Sequence, residues 1–311
     1  MNLDFFAVIS NLANLFVLVA VGFLAARTGF FNHNSSALFS RLLLKITLPC
    51  TIFISLVSRD YDPKFVHDSF IMIFLGLVFF VSYLYLSKFI ARLLNVPENS
   101  RGVFAFASTF SNSGFMGFPI ALALLGGEGL ALSVMLNVAM NLILYSLGVM
   151  EMSEKNEGKI SVKSILFSNI NAAIVLSFIF YFGRIKLPEF VAAPVTYLSN
   201  ITTPISMLII GIALSETKGL EILTDVYVWE CSAMKLVIVP LSLCAIFKLI
   251  PISQNPLIAA SFVLANAMPA ASTTVVLTET LNNENVGFAA KIMFVQNLLC
   301  VITIPLVCMM I

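Results

Sequence analysis

The chain has 311 residues, 59% of them hydrophobic and only 11% charged, with a mean hydropathy of +1.01. A soluble domain carries about 25% charged residues, so the composition excludes an ordinary water-facing globule and points to a chain that faces lipid. The formal net charge is +1, and no basic tract or acidic tail offers a footprint for nucleic acid or a strongly charged partner.

Apolar stretches of about 20 residues predict transmembrane helices, and ten follow in order. The first, Phe5–Ala25, begins almost at once; MNLDFFAVIS has no cationic leader and no small-residue cleavage site, so it reads as a span and not as a removed signal. Phe39–Val57 contains KITLP, ending in Pro49, and Ser69–Leu94 opens beside Asp68. Val103–Leu125 contains SNSGFMGFP, Ser111–Pro119, where Asn112, Gly114, Gly117 and Pro119 interrupt the apolar run. GGEG, Gly126–Gly129, reads as a turn into Leu130–Met150, whose Asn137 and Asn141 lie four apart on one helix face. The polar segment Glu151–Lys163 is the clearest linker. Ile165–Phe182 and Ala193–Leu214 follow, the latter containing NITTP with Pro204. Val226–Ile250 carries Glu230, Lys235 and Pro240; Pro256–Thr278 carries LANAMPAASTT, centred on Pro269; Val286–Ile311 carries Lys291, Gln296 and Asn297. The five cysteines, Cys50, Cys231, Cys244, Cys300 and Cys308, all fall in spans without C-x-x-C spacing and read as buried thiols. His33 and His67 fall in loops, and no metal spacing, nucleophile elbow or phosphate loop appears, so the reading is not an enzyme and no cofactor is expected.

The two halves resemble each other. Lys45–Pro49 matches Asn200–Pro204, Arg27 matches Arg184, Asn112 matches Asn266, and Asn141 matches Asn297, at offsets of 154 to 157 residues. Four matches in order argue for an internal duplication, with residues 1–150 as one five-helix repeat, 151–163 as a cytoplasmic linker and 164–311 as the second repeat. An odd number of spans inserts the second copy upside down, which is the inverted-repeat plan of many secondary transporters. Nine lysines and arginines in the odd loops against five in the even ones place the odd loops inside and both termini outside.

Non-helical backbone at membrane depth survives only where protein buries it or where it lines a wet cavity. Interruptions at matching places in the fourth and ninth spans therefore point to a binding site. Proline suits the first position of a helix, so Pro119 and Pro269 are each expected to start a second half-helix. Two positive helix ends then converge at mid-depth as an anion site made largely of backbone, with carbonyl ends beside it that could hold a cation. Asn112 and Asn266 either contact the substrate or only satisfy the break; Ser111, Ser113, Ser272, Thr273 and Thr274 are weaker candidates, and Asn141 and Asn297 divide between site and interhelical bonding. Pro49 and Pro204 read as structural kinks. Lys235 and Lys291 are possible charge partners of an anion, whereas Asp68, Glu216 and Glu279 read as solvated. No carboxylate stands at the centre of the fourth, fifth, ninth or tenth span, so a coupling ion, H+ or Na+, would have to use backbone, hydroxyl or peripheral oxygens.

With SNSGFMGFPIALALLGGEGL and ANAMPAASTTVVLTE in these places, the chain resembles the auxin efflux carrier family, which includes bacterial malonate-type permeases and plant auxin exporters. The resemblance covers essentially the whole chain. It implies an all-α membrane protein of ten helices in two inverted repeats, with helices 1, 2, 6 and 7 as a scaffold and helices 3–5 and 8–10 as a mobile transport unit. It also implies crossing broken helices 4 and 9, an elevator-like alternating-access motion and small organic anions, carboxylates, as substrates. Carried onto this sequence, the crossover site comprises Asn112, Ser113, Gly114, Pro119, Asn266, Ala267, Met268 and Pro269, with Asn141 and Asn297 beside it. The short central loop and the lack of a second asparagine in the first break favour a bacterial-type inner-membrane permease over an auxin exporter. A homodimer through scaffold helices follows by analogy. The alternatives are a sodium-coupled symporter of the bile-acid type and a transporter-like membrane sensor.

Overall fold

The computed structural model describes residues 5–31, 33–153, 169–216, 225–249 and 255–311; of residues 5–12, 33, 34, 214, 216, 280 and 283 it describes the backbone alone. The expected linker beyond Ser153, together with Lys218 and Glu221, lies outside the described residues. Among those described, the architecture is helical without a named strand: α1 (Phe5–Arg27), α2 (His33–Leu42), α3 (Leu48–Val57), α4 (Pro63–Leu93), α5 (Arg101–Thr109), α6 (Phe118–Ile143), α7 (Val149–Met152), α8 (Asn169–Phe182), α9 (Glu189–Asn200), α10 (Thr202–Glu216), α11 (Val226–Ala233), α12 (Val239–Leu249), α13 (Pro256–Asn266), α14 (Thr273–Leu281) and α15 (Val286–Cys308). Six helical stretches among the described residues are long and apolar enough to cross a membrane: Ser35–Val57, Pro63–Leu93, Ser113–Met152, Glu189–Ala213, Val226–Leu249 and Val286–Cys308. Ala13–Arg27, Asn169–Phe182 and Pro256–Asn266 are shorter apolar helices.

Prolines shape several of these stretches. A proline inside a helix has no N–H to donate, and its ring collides with the carbonyl four residues back. At three prolines the chain widens locally into π-type turns, at Leu43–Thr47, Ser113–Gly117 and Met234–Ile238, although a fourth, Leu144–Gly148, has no proline after it and Pro194 and Pro305 stand inside α9 and α15 without one. The first three turns each end two residues before a proline, respectively Pro49, Pro119 and Pro240. The kink expected at Pro49 thus takes the form of a widened turn. Pro204 is the third residue of α10, within the first turn, where a missing N–H costs nothing.

Several expected boundaries move. Asp68 and His67 lie inside α4 and not before it, and Asp68 is 3% exposed with His67 Nδ1 at 3.7 Å. The turn expected over Gly126–Gly129 shrinks to Gly126 alone, whose φ of 69° and ψ of −168° a side chain would resist; helix resumes at once on either side. Pro119 does not begin a helix, because helical backbone already starts at Ser113; nor does Pro269, since α14 begins at Thr273 and Pro269 lies in the non-helical stretch before it.

The chain forms two compact units. The first comprises Met1–Ser69, Gly114–Val134 and Ser161–Thr217. In it α1 packs along α10 through glycines: a Cβ on Gly22 would stand 2.5 Å from the Leu208 carbonyl oxygen, and one on Gly211 would stand 2.6 Å from the Phe23 nitrogen. Small residues that let backbones approach are the common device of helix packing in lipid. In the same unit α3 packs against α8 and α9. There the buried Thr51 hydroxyl lies 2.6 Å from the Thr202 hydroxyl and 2.9 Å from the Thr47 carbonyl, so the sequence-matched KITLP and NITTP segments share one polar cluster.

The second unit comprises Phe70–Ser113, Met135–Ile160 and Lys218–Ile311. Its core includes Ala91, Phe104, Ala107, Val228, Cys231, Met234, Ala270, Ile292 and Val295, drawn from α4, α5, α11 and the π-type turn after it, α15 and the stretch before α14. Phe80, Phe106 and Phe110 stack beside it, with the Phe106 and Phe110 rings 4.7 Å apart.

Gly211→Val is expected to destabilise the protein by about 1–3 kcal/mol through overpacking, read as a lower thermal-unfolding midpoint in detergent. An unchanged midpoint contradicts the close approach of α1 and α10.

Candidate functional site

The site is built where two helices of the second unit stop. α5 ends at Thr109, and Phe110 is extended, with φ −91° and ψ 132°. α13 ends at Asn266, and α14 resumes at Thr273. The two non-helical stretches lie antiparallel, with Ser111 opposite Ala270 in an isolated bridge. The Asn112 N–H donates to the Pro269 carbonyl at 2.8 Å, and the Ala271 N–H donates to the Phe110 carbonyl at 2.9 Å. Each stretch therefore supplies hydrogen bonds that the other lost by leaving the helix. This pairing explains the place of Pro269. Its carbonyl is used as an acceptor and its missing N–H is not needed, so it belongs to the extended stretch and not to the start of α14.

Side chains complete the arrangement. Lys235, fully buried in the π-type turn after α11, donates to the Thr109 carbonyl at 3.0 Å and to the Ser111 hydroxyl at 2.7 Å. Its ammonium thus sits at the carbonyl end of α5, where a helix favours positive charge. Gln296 of α15, fully buried, accepts the Ala270 N–H at 2.7 Å. The Ser113 hydroxyl donates to Asn137 Oδ1 at 2.6 Å. The backbone of Ala267, Met268, Pro269 and Ala270 is sealed from solvent, as is the Asn266 side chain.

Not every polar atom here is paired. Asn266 Nδ2 donates to the Phe262 carbonyl at 2.9 Å, which leaves Oδ1 buried without a hydrogen-bond partner among the described residues. The hydroxyls of Thr273 and Thr274, at the start of α14, are likewise buried and unpartnered among those residues. Ser272, the cap residue of α14, makes no side-chain hydrogen bond to the helix start. A buried polar atom without a partner costs about 1–3 kcal/mol. One amide oxygen, two hydroxyls and a helix N-terminus without a side-chain cap therefore flank the 267–272 stretch, although the Thr274 N–H there is already taken by the Ala271 carbonyl at 2.8 Å.

The expected site residues divide between the two units. Asn112, Ser113, Asn141, Asn266, Ala267, Met268, Pro269 and Asn297 belong to the second, as do Lys235 and Lys291; Gly114 and Pro119 belong to the first. Asn141 and Asn297 are half-buried; Asn137, one turn before Asn141, bonds Ser113, and Gln296, next to Asn297, bonds Ala270. Lys291 faces elsewhere, with its ammonium 3.8 Å from Asp225 and its side chain 37% exposed. Ser111 and Lys235 together were not legible as a pair, because 124 residues separate them. Among the described residues, no group of three or more His, Cys, Asp or Glu is arranged to hold a metal ion.

Known proteins share this chain's pattern along nearly its whole length. The family model described as "Membrane transport protein" matches residues 7–165 and 158–308. An uncharacterised transporter of Methanocaldococcus jannaschii is 27% identical over 308 residues, covering 93% of this chain and 94% of that protein. An uncharacterised transporter of Methanothermobacter thermautotrophicus is 25% identical over 298 residues, covering 94% and 95%. These matches point to an integral membrane transport protein rather than an enzyme.

Gln296→Leu is expected to leave the Ala270 N–H buried without an acceptor, at a cost of about 1–3 kcal/mol. Asn297→Leu should cost less. Thermal unfolding of the two variants side by side checks the order; a larger loss at Asn297 contradicts it.

Proposed function

Since the chain belongs to the auxin efflux carrier family of membrane transport proteins, we infer that it is a secondary active transporter of small organic anions, chiefly carboxylates. The observation that carries this reading is the set of buried, unpartnered groups at the second break, Asn266 Oδ1 and the Thr273 and Thr274 hydroxyls, beside the start of α14, which has no side-chain cap. A helix N-terminus presents N–H groups and partial positive charge, which favours a carboxylate. Asn266 Oδ1 asks for a donor, which a substrate hydroxyl, a protonated carboxyl of a dicarboxylate or an accompanying water supplies.

In this reading the ten spans are two inverted repeats, and the paired stretches at Ser111 and Ala270 are the crossing of broken helices 4 and 9. Helices 3–5 and 8–10 carry the substrate in an elevator-like motion against a scaffold of helices 1, 2, 6 and 7, which also supports a homodimer. The protein works in a plasma membrane of bacterial type with both termini outside.

Lys235 bears on the sodium-coupled alternative. The carbonyl ends of both first halves could hold a cation; at that of α5 the Thr109 carbonyl already accepts from Lys235 Nζ, so we propose transport without sodium. Purified protein in liposomes, offered labelled malonate, other dicarboxylates and aromatic acids, should accumulate at least one carboxylate with or without a sodium gradient. Asn266→Ala should reduce that uptake about tenfold or more while the protein remains folded. Uptake that demands sodium overturns the coupling assignment, and wild-type uptake by Asn266→Ala overturns the site.

A further inference from the structure

A second concave site lies wholly within the first unit, and none of its lining residues is among those assigned above. It is a cavity of about 550 Å³ where the end of α3, the loop to α4, the end of α8 and the start of α9 come together. Arg59, Arg184 and Lys186 line it with one lining carboxylate among the described residues, Asp60, and with apolar side chains that include Ile54 and Phe180. We propose that this cavity binds a phosphate-type anion, with the headgroup of an anionic phospholipid as its source.

Four observations carry the proposal. The first is the balance of charge: three cations meet two carboxylates, Asp60 in the lining and Glu128 at 3.6 Å from Arg59, and Lys186 and Asp60, 3.0 Å apart, are both more than four-fifths exposed, so their pairing is weak. The second is an unused donor. Arg59 Nε is buried without a hydrogen-bond partner among the described residues, although the Arg59 guanidinium approaches Glu128 at 3.6 Å. Arginine presents its N–H groups in a fork that suits phosphate oxygens.

The third is the backbone at Arg184. α8 ends in a Schellman turn, in which the Ile185 N–H bonds to the Phe180 carbonyl at 2.9 Å and the Arg184 N–H to the Tyr181 carbonyl at 3.2 Å. That motif places Arg184 at φ 53°, the left-handed position where glycine is favoured. An arginine held in an unfavourable conformation at a cavity wall directs attention to what its side chain does there. The fourth is preorganisation. The Arg184 guanidinium lies 4.6 Å over the Tyr61 ring and that of Arg59 lies 4.4 Å over the Phe65 ring. The Tyr181 hydroxyl accepts the Asp62 N–H at 2.9 Å and fixes the loop that carries Tyr61. Both guanidinium planes are thus oriented before any ligand arrives, which lowers the ordering cost of binding.

The lipid source follows from the surroundings. The cavity walls are mixed, cationic and apolar side chains together, and Phe182 and Phe190, on the helices that bound it, are exposed by 51% and 80%. A guanidinium fork beside apolar walls suits a headgroup phosphate that carries acyl chains. A free phosphate would use the cations and leave the apolar walls idle.

The test is native mass spectrometry of the full-length protein in detergent, offered phosphatidylglycerol, phosphatidylcholine or inorganic phosphate. The wild type should retain phosphatidylglycerol at least tenfold more strongly than phosphatidylcholine. Arg184→Gly removes a cation while relieving the backbone, so it should lose that preference without a lower unfolding midpoint. Lys186→Gln, at an exposed position, should weaken it by a smaller factor. Binding of inorganic phosphate alone, lost in Arg184→Gly, keeps the anion site and transfers its source to the free ion. Equal retention of both lipids with no phosphate binding, or an undiminished preference in Arg184→Gly, overturns the proposal. Carboxylate uptake is not read in this experiment, so its failure leaves the transport assignment standing.

Discussion

Backbone N–H and C=O groups buried away from water must find partners, and hydrocarbon offers none. This constraint governs the second unit. α5 and α13 both stop short, at Thr109 and Asn266, and each frees backbone groups that have nowhere to go alone. The two stretches answer each other through the Asn112–Pro269 and Ala271–Phe110 bonds. Lys235 takes the Thr109 carbonyl, and Gln296 takes the Ala270 N–H. Once these bonds are made, the atoms left over stand out: Asn266 Oδ1 and the hydroxyls of Thr273 and Thr274. The proposed site is the place where these three side-chain atoms lack partners among the described residues.

The same constraint explains why the proline positions matter. At Pro49 and Pro240 the chain widens into a π-type turn, while Pro194 and Pro305 stand inside α9 and α15 without one. Where proline stands at Pro269, the helix is already interrupted and the residue contributes only its carbonyl. The residue type is the same and the outcomes differ, because a second interrupted segment is present to receive that carbonyl. Burial of Lys235 obeys the same rule. A lysine without exposed surface is costly unless its ammonium is bonded, and here it has a carbonyl and a hydroxyl at the negative end of a helix.

Much of this was legible in the sequence in kind but not in detail. Hydropathy and the scarcity of charge identify an all-helical membrane protein, and the SNSGFMGFP and ANAMP segments identify its family. Glycine and proline mark the neighbourhood of an interruption well, since they are the residues that weaken a helix. They mark its ends poorly: the first stretch leaves the helix at Phe110, and Ser113–Gly117 already coils again, so Gly114 and Gly117 lie after the gap. Matching the halves drew attention to Asn141 and Asn297, whereas Asn137 and Gln296 make the bonds to Ser113 and Ala270. Gln296 stands one residue from Asn297, a step that turns a side chain by about 100°, whereas Asn137 shares a helix face with Asn141 one turn away and bonds Ser113, where the chain coils again. Lys235 was visible as an unusual charge, but its partners come from an element more than 120 residues away, and no local pattern announces such a contact.

The most direct test is hydrogen–deuterium exchange of the protein in lipid, resolved at residues 110–112 and 267–275, with and without a transported carboxylate. The account predicts slow exchange at the Asn112 and Ala271 amides in the free protein, and further slowing confined to the start of α14 when the carboxylate is added. Rapid exchange at Asn112 and Ala271, or protection by the carboxylate that spares Ser272–Thr274 altogether, would contradict it.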